Sequence, residues 1–270
     1  MIPAISNIAW QSNEELEILP ALHALGIGCL EIAPTKVFSS PDLATPQEIL
    51  LARRLYESKH FEIVALQAIL YGKPELQVFG DELCQAKSLA YLTKMIALAE
   101  NLGAKVLVFG SPKNRLIGSL KWNDAVERAT EFFRKLGDVA IRHHCVLGLE
   151  PNPSQYGADF MMDVAETVAV ADAINHPGIG VHLDSGIMTL NGEDPHAAVA
   201  LAAPRLVHFH VSEPNLDPVD GGRVDHIAMA SALRSVDYHG YVSIEMRPPI
   251  DQPSLETVLR AVDLVLNTYV

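Results

Sequence analysis

The chain has 270 residues, 49% apolar and 20% charged, with 20 Lys and Arg against 33 Asp and Glu and a net charge of −13. This excludes a disordered chain or a collagen-like fibre, and the acidic balance argues against non-specific binding to nucleic acid or anionic membrane. Cys29, Cys84 and Cys145 form no C-x-x-C pair, so no disulfide framework or thiolate zinc site is expected and a reducing compartment fits.

The N-terminal MIPAISNIAWQSNEELE lacks a basic n-region followed by a long apolar run, and no apolar stretch approaches a membrane span. A soluble, cytoplasmic protein with neither a membrane nor a nucleic-acid partner is expected. In chain order, short apolar runs closed by turn residues alternate with helix-length segments. AISNIAW (4–10) reads as a weak first strand and is followed by a helix over 13–25. GIGCLEIAPT (26–35) precedes a helix over 45–59, where Thr45-Pro46-Gln47-Glu48 puts proline at the first helical position and the glutamate of a capping box at the third. EIVALQAIL (62–70), also weak, precedes a helix over 81–102. AKVLVFGSP (104–112) precedes one over 122–143, with Asn123-Asp124 as its start signal. CVLGLEPNP (145–153), GIGVHLDSG (178–186), RLVHFHVSEP (205–214) and GYVSIEMRPP (240–249) follow, with helices over 158–174, 195–203, 225–236 and 253–268. Gly26 and Gly103 stand where helix C-caps are expected. Such apolar runs are strands buried on both faces. Eight of them alternating with eight helices predict one α/β domain over residues 1–270, a single (β/α)8 TIM barrel. An open doubly wound sheet is the alternative, but no G-x-G-x-x-G follows the first strand to support it.

Strand parity then locates the chemistry, because successive residues face opposite sides. Leu147 and Leu149 oppose Gly148 and Glu150. Val181 and Leu183 oppose His182 and Asp184, Val207 and Phe209 oppose His208 and His210, and Val242 and Ile244 oppose Ser243 and Glu245. The apolar faces belong against the helices, which aims carboxylates and imidazoles into a barrel interior that Val, Ile and Leu ordinarily fill. Glu150, Asp184, His210 and Glu245 stand at or near the C-terminal strand ends, where barrel enzymes keep their active sites. Three carboxylates in one dry mouth raise one another's pKa, and a divalent cation relieves that cost. Three oxygen ligands and one imidazole suit Mn²⁺ or Mg²⁺, with Co²⁺ or Zn²⁺ as alternatives. Each residue alone has a blander reading as a bonded core group, and His182 and His208 are given that role. For the set of four, the bland reading must hold on four consecutive strands, so the metal reading is preferred.

LGLEPNP, VHLDSG, HFHVSE and YVSIEMR, with VDHIAMASALRSVDYHGYVSIE (224–245), resemble the sugar phosphate isomerase/epimerase superfamily of xylose isomerase-like TIM barrels across the whole chain. That resemblance implies one divalent ion on Glu150, Asp184, His210 and Glu245. It implies a small carbohydrate-like substrate isomerised or epimerised through an enediolate, with Glu150 and Glu245 as acid and base. Substrate contacts are expected from Glu31, whose parity in LEIA is inward, and from Gln67, Lys113, Arg115 and Arg247. Two departures stand out. Ketose 3-epimerases carry a histidine three residues after the metal aspartate and an arginine about six after the metal histidine, where this chain has Ile187 and Leu216. The further ligands of the apurinic endonucleases are replaced by Gln67, Phe109 and the pair Asp225-His226, so a DNA-repair enzyme is not expected. A metal-dependent dehydratase or lyase of the inosose or dehydroshikimate type is the runner-up, a non-catalytic sugar-binding barrel stands third, and homo-oligomerisation is left open.

Overall fold

Apolar residues alternating with small or polar ones, in runs ended by proline and glycine, fold as short parallel strands. The computed structural model describes residues 1–220 and 222–270. Strands β1 (Ile2–Ser6), β2 (Cys29–Ile32), β3 (Glu62–Leu66), β4 (Val106–Phe109), β5 (Val146–Leu149), β6 (Ile179–Asp184), β7 (Leu206–Ser212) and β8 (Tyr241–Glu245) close into a barrel in chain order. Every neighbouring pair is parallel, including β1 with β8. Around it lie helices α1 (Glu15–Ala24), α2 (Pro46–Ser58), α3 (Glu82–Leu102), α4 (Trp122–Arg142), α5 (Val164–Ile174), α6 (Ser185–Asn191), α7 (Pro195–Ala202), α8 (His226–Ser235) and α9 (Ser254–Thr268). This is the expected (β/α)8 barrel with one further short helix, α6. The strands are shorter than the apolar phrases because the proline- and glycine-containing ends run on as loops. Among the described residues no helix is long and apolar enough to cross a membrane.

Local signals set several boundaries. Thr45 caps α2, with its Oγ1 accepting from Glu48 N and its own N–H donating to Glu48 Oε2 at 2.7 Å. Gly103 ends α3 at φ +101°, a conformation that glycine adopts without a Cβ penalty. The start signal at Asn123-Asp124 is corrected: α4 begins at Trp122 after an uncapped Lys121, so Asp124 lies within the first turn and complements the helix dipole there.

Leu147, Leu149, Val181, Leu183, Phe209, Val242 and Ile244 are fully buried in the core between barrel and helices, as parity requires. Phe133 of α4 packs edge-on against Phe109 at a centroid distance of 5.1 Å. Parity fails at Val207. The β6–β7 register steps from Val181↔Leu206 to His182↔His208, so Val207 is an extra residue. Val207 joins Ala4, Val64, Ala65 and Val106 in a small apolar cluster separate from the main core. Gly148 and Gly180 make room for it: a Cβ on Gly180 would come within 2.4 Å of Val207 Cγ1. The β2–β3 register carries a matching shift, from Leu30↔Ile63 to Glu31↔Ala65, with Val64 as the extra residue. The two bulges let consecutive residues share the interior, which re-aims the side chains above them.

Candidate metal centre and active site

Four consecutive strands deliver inward side chains at or near their C-terminal ends to one point. Glu150 follows β5, Asp184 and Glu245 end β6 and β8, and His210 lies two residues before the end of β7. His210 Nδ1 stands 3.1 Å from Glu245 Oε2 and 3.8 Å from both Glu150 Oε1 and Asp184 Oδ2. The ring is buried, yet Nδ1 makes no aligned hydrogen bond. One imidazole nitrogen cannot serve three carboxylates, whereas a divalent cation among them can. Glu150, Asp184 and His210 offer ligand atoms that all lie within 4.8 Å of one another, so this group could hold a metal ion.

The electrostatics describe a cluster short of positive charge. Burial pushes the Asp184 carboxyl up to about 7, helped by Glu245 and Glu150. Burial likewise raises Glu150 and Glu245, against the partly offsetting charge of His210. For His210 burial favours the neutral ring, but Glu31 and Glu245 outweigh it and raise the pKa. His182 is lowered, first by burial and then by its histidine neighbours.

Asp184 and Glu150 are also held from behind. Asp184 Oδ1 accepts from Ile187 N at 2.6 Å as the N-cap of α6, and Oδ2 accepts from Ser212 Oγ at 2.7 Å. Glu150 Oε2 accepts from Asn152 Nδ2 at 3.1 Å, and His182 Nε2 lies 3.2 Å from its Oε1. Gly110 leaves the space that Glu150 occupies, since a Cβ there would fall 1.8 Å from Oε2. Sequence reading missed Ser212, Asn152 and Gly110. The Asp-Ser-Gly start of α6 was the one local signal, because aspartate is a favoured N-cap.

Glu150, His210 and Glu245 open onto a cavity of about 460 Å³, whose other wall comes from residues 67–74 and 108–114. Gln67 and Lys113, expected to contact substrate, line it together with Lys73. Gln67 is further fixed by a hydrogen bond from its amide to Ser6 Oγ. Three expected substrate contacts are corrected. Glu31 is fully buried, with Oε2 2.9 Å from His210 Nε2 and 3.3 Å from His208 Nε2, so it faces the interior and not the cavity. Arg115 is also buried: its guanidinium donates to the carbonyls of Phe109, Glu150 and Met161, tying the ends of β4 and β5 together. Burial lowers its pKa to about 10, and Glu150 opposes that shift. Arg247 is exposed and off the cavity wall, with its backbone N–H donating to Leu216 O. The satisfied-core role expected of His182 is corrected too: the ring is fully buried with Nε2 3.2 Å from Glu150 Oε1, yet neither nitrogen makes an aligned hydrogen bond.

The xylose isomerase-like TIM barrel family matches residues 19–263. The chain belongs to this family. Among its relatives, the L-ribulose 3-epimerase of Methylomonas sp. (strain DH-1) is 28% identical over 127 residues, covering 47% of this chain and 44% of that protein. The D-psicose 3-epimerase of Enterocloster bolteae is 24% identical over 228 residues, 83% of this chain and 74% of that protein. The matches span about half the length of the first curated relatives, 44%, 58% and 56%. The solved D-psicose 3-epimerase with D-tagatose from Clostridium cellulolyticum H10 superposes with a TM-score of 0.81 at 16% identity, covering 100% of this chain and 99% of that one. At that identity the likeness shows the barrel fold alone.

Proposed function

We propose that the chain, acting as one domain over residues 1–270, is a divalent-metal-dependent epimerase or isomerase of a small ketose-like substrate. The observation that carries this reading is the buried Nδ1 of His210, 3.1–3.8 Å from three carboxylates and in an aligned hydrogen bond with none, at the mouth of a cavity large enough for a sugar. The curated relatives named as ketose 3-epimerases support it. Glu150, Asp184, His210 and Glu245 would hold the ion, Mn²⁺ or Mg²⁺ first and Co²⁺ or Zn²⁺ next. When bound, such an ion polarises a carbonyl and its neighbouring hydroxyl and acidifies the C–H between them.

The chain's own residues do the proton transfers. Of Glu150 and Glu245, one begins ionised and takes the proton from the carbon beside the carbonyl, leaving an enediolate. The other begins protonated and returns a proton, which inverts the centre when delivered from the opposite face. Gln67 and Lys113 would orient the sugar hydroxyls. Ile187 and Leu216 occupy positions where ketose 3-epimerases carry a histidine and an arginine, so the substrate would be held differently there. The cytoplasm is the proposed location.

The test is incubation of Mn²⁺-loaded protein in D₂O with L-ribulose, D-psicose, D-fructose and D-tagatose. Deuterium should appear at the carbon next to the carbonyl, and Glu150→Gln and Glu245→Gln should each nearly abolish it. Absence of exchange into every ketose rejects the epimerase reading. Full exchange in Glu245→Gln with metal bound rejects the two-carboxylate mechanism.

A further inference from the structure

Behind His210, inside the barrel, lies a carboxylate that the proton chemistry does not use. Glu31 of β2 is fully buried, and its Oε2 faces two imidazole nitrogens, His210 Nε2 at 2.9 Å and His208 Nε2 at 3.3 Å. The residues involved lie 177 and 179 positions apart in the chain and meet only because the barrel closes. A buried carboxylate is costly unless donors meet it, and these two N–H groups are the donors facing its Oε2.

A neutral imidazole carries one proton and one lone pair, and the partner of one nitrogen decides which is which. With its Nε2–H engaged by Glu31, the neutral form of His210 that a cation requires presents its lone pair at Nδ1, the atom that faces Glu150, Asp184 and Glu245. The ring plane is fixed as well. His182 packs against it at a centroid distance of 4.1 Å and 72°, and His208 at 5.5 Å and 78°. His208, donating to the same Oε2, holds the Glu31 carboxylate in place.

We propose that Glu31, pinned by His208, is a positioning residue that sets the tautomer and orientation of His210, and through it the affinity for a divalent cation. The proposal rests on the metal reading above. Its physical basis is that a carboxylate behind a ligating imidazole raises the ring's basicity and fixes its direction, and losing one commonly weakens metal binding 10- to 100-fold.

The test compares chelator-stripped wild type, Glu31→Gln and Glu31→Ala by calorimetric titration with Mn²⁺ and Zn²⁺. Glu31→Ala should bind about 10- to 100-fold more weakly. Glu31→Gln keeps the shape and an accepting oxygen but not the charge, so a smaller loss is expected, at least about threefold. If Glu31→Ala does not fold, the isosteric Glu31→Gln decides alone. Long-range ¹H–¹⁵N correlation of the imidazoles in Zn²⁺-loaded wild type should place the proton of His210 on Nε2 and the metal on Nδ1. The Nε2 proton should exchange faster in the folded variants, a signature that a purely structural role for Glu31 would not produce. Variants binding within twofold of wild type, or a wild-type spectrum with the proton on Nδ1, overturn the proposal. No ion binding by wild type overturns the metal reading itself, and this proposal with it.

Discussion

Asp184 serves two ends of the structure with its two oxygens. Oδ1 caps α6 through Ile187 N, while Oδ2 accepts from Ser212 and faces the candidate metal position. In the metal-free protein its carboxyl is pushed up to about 7, by burial and then by Glu245 and Glu150. Below that pH the group holds a proton that an incoming cation must displace, and above it the carboxylate is free to ligate. Mn²⁺ affinity should therefore fall by about tenfold or more per pH unit below about 7, since Asp184 gives up a proton there and the raised His210, Glu150 and Glu245 add theirs. Binding isotherms from pH 5.5 to 8.5 measure this, and a flat profile across pH 7 removes Asp184 from the ligand set. Gly110 offers a second test at this scale. A methyl group there would sit 1.8 Å from Glu150 Oε2, so Gly110→Ala must push that carboxylate aside. Its kcat should fall by about tenfold or more, because a displacement of about 1 Å in a catalytic group can cost about 10²-fold. Thermal stability should change little by comparison. Unchanged kcat in that variant shows that Glu150 works from another position.

Among the elements, the strand ends after β4 and β5 depend on one cation from the connecting loop. Arg115 spans the carbonyls of Phe109, Glu150 and Met161 at 3.2, 2.6 and 3.4 Å. Charged hydrogen bonds of this kind are worth about 1.5–3 kcal/mol each, and unpartnered buried carbonyls would remain after truncation. Arg115→Met should thus cost at least about 2 kcal/mol of stability and disorder the position of Glu150, lowering kcat more than it raises KM. Urea unfolding with steady-state kinetics checks both. A variant of wild-type stability with only a raised KM would return Arg115 to the substrate. The bulge in β7 acts at the same scale: by turning Val207 inward beneath His208, it places His208 against Glu31 without moving Phe209 from the helix-facing core.

Over the whole molecule, carboxylates and imidazoles replace the usual aliphatic filling at the C-terminal end of the barrel, while an apolar cluster fills the interior around Ala4, Val64, Ala65 and Val106. The metal-free protein therefore carries like charges close together, and a cation that binds only the folded state stabilises it by linkage. At a hundredfold excess over Kd the gain is about 2.7 kcal/mol. For a chain of this size that is a rise in Tm of about 5–8 °C. Differential scanning calorimetry of stripped protein with Mn²⁺ should show it, and an unshifted Tm at saturating metal contradicts a site built from Glu150, Asp184, His210 and Glu245.

The sequence by itself determined the eight strands, their alternation with helices and the four residues at the mouth. The reason is that strand parity is a local property: Val181 and Leu183 against His182 and Asp184 can be read from neighbours in the chain alone. Capping at Thr45 was legible for the same reason. What needed the tertiary structure was every feature set by distant partners. Glu31 points inward by parity, but whether it meets a substrate or His208 and His210 depends on barrel closure across 177 and 179 residues. Arg115 follows proline and lysine in a polar loop and reads as exposed, yet the three carbonyls that draw it inside come from strand and loop ends that only the packed barrel brings together. Val207 broke the alternation because the register of β7 is set by its neighbour β6 and by the space over Gly148 and Gly180, and an extra residue in one strand leaves no mark in the period of either.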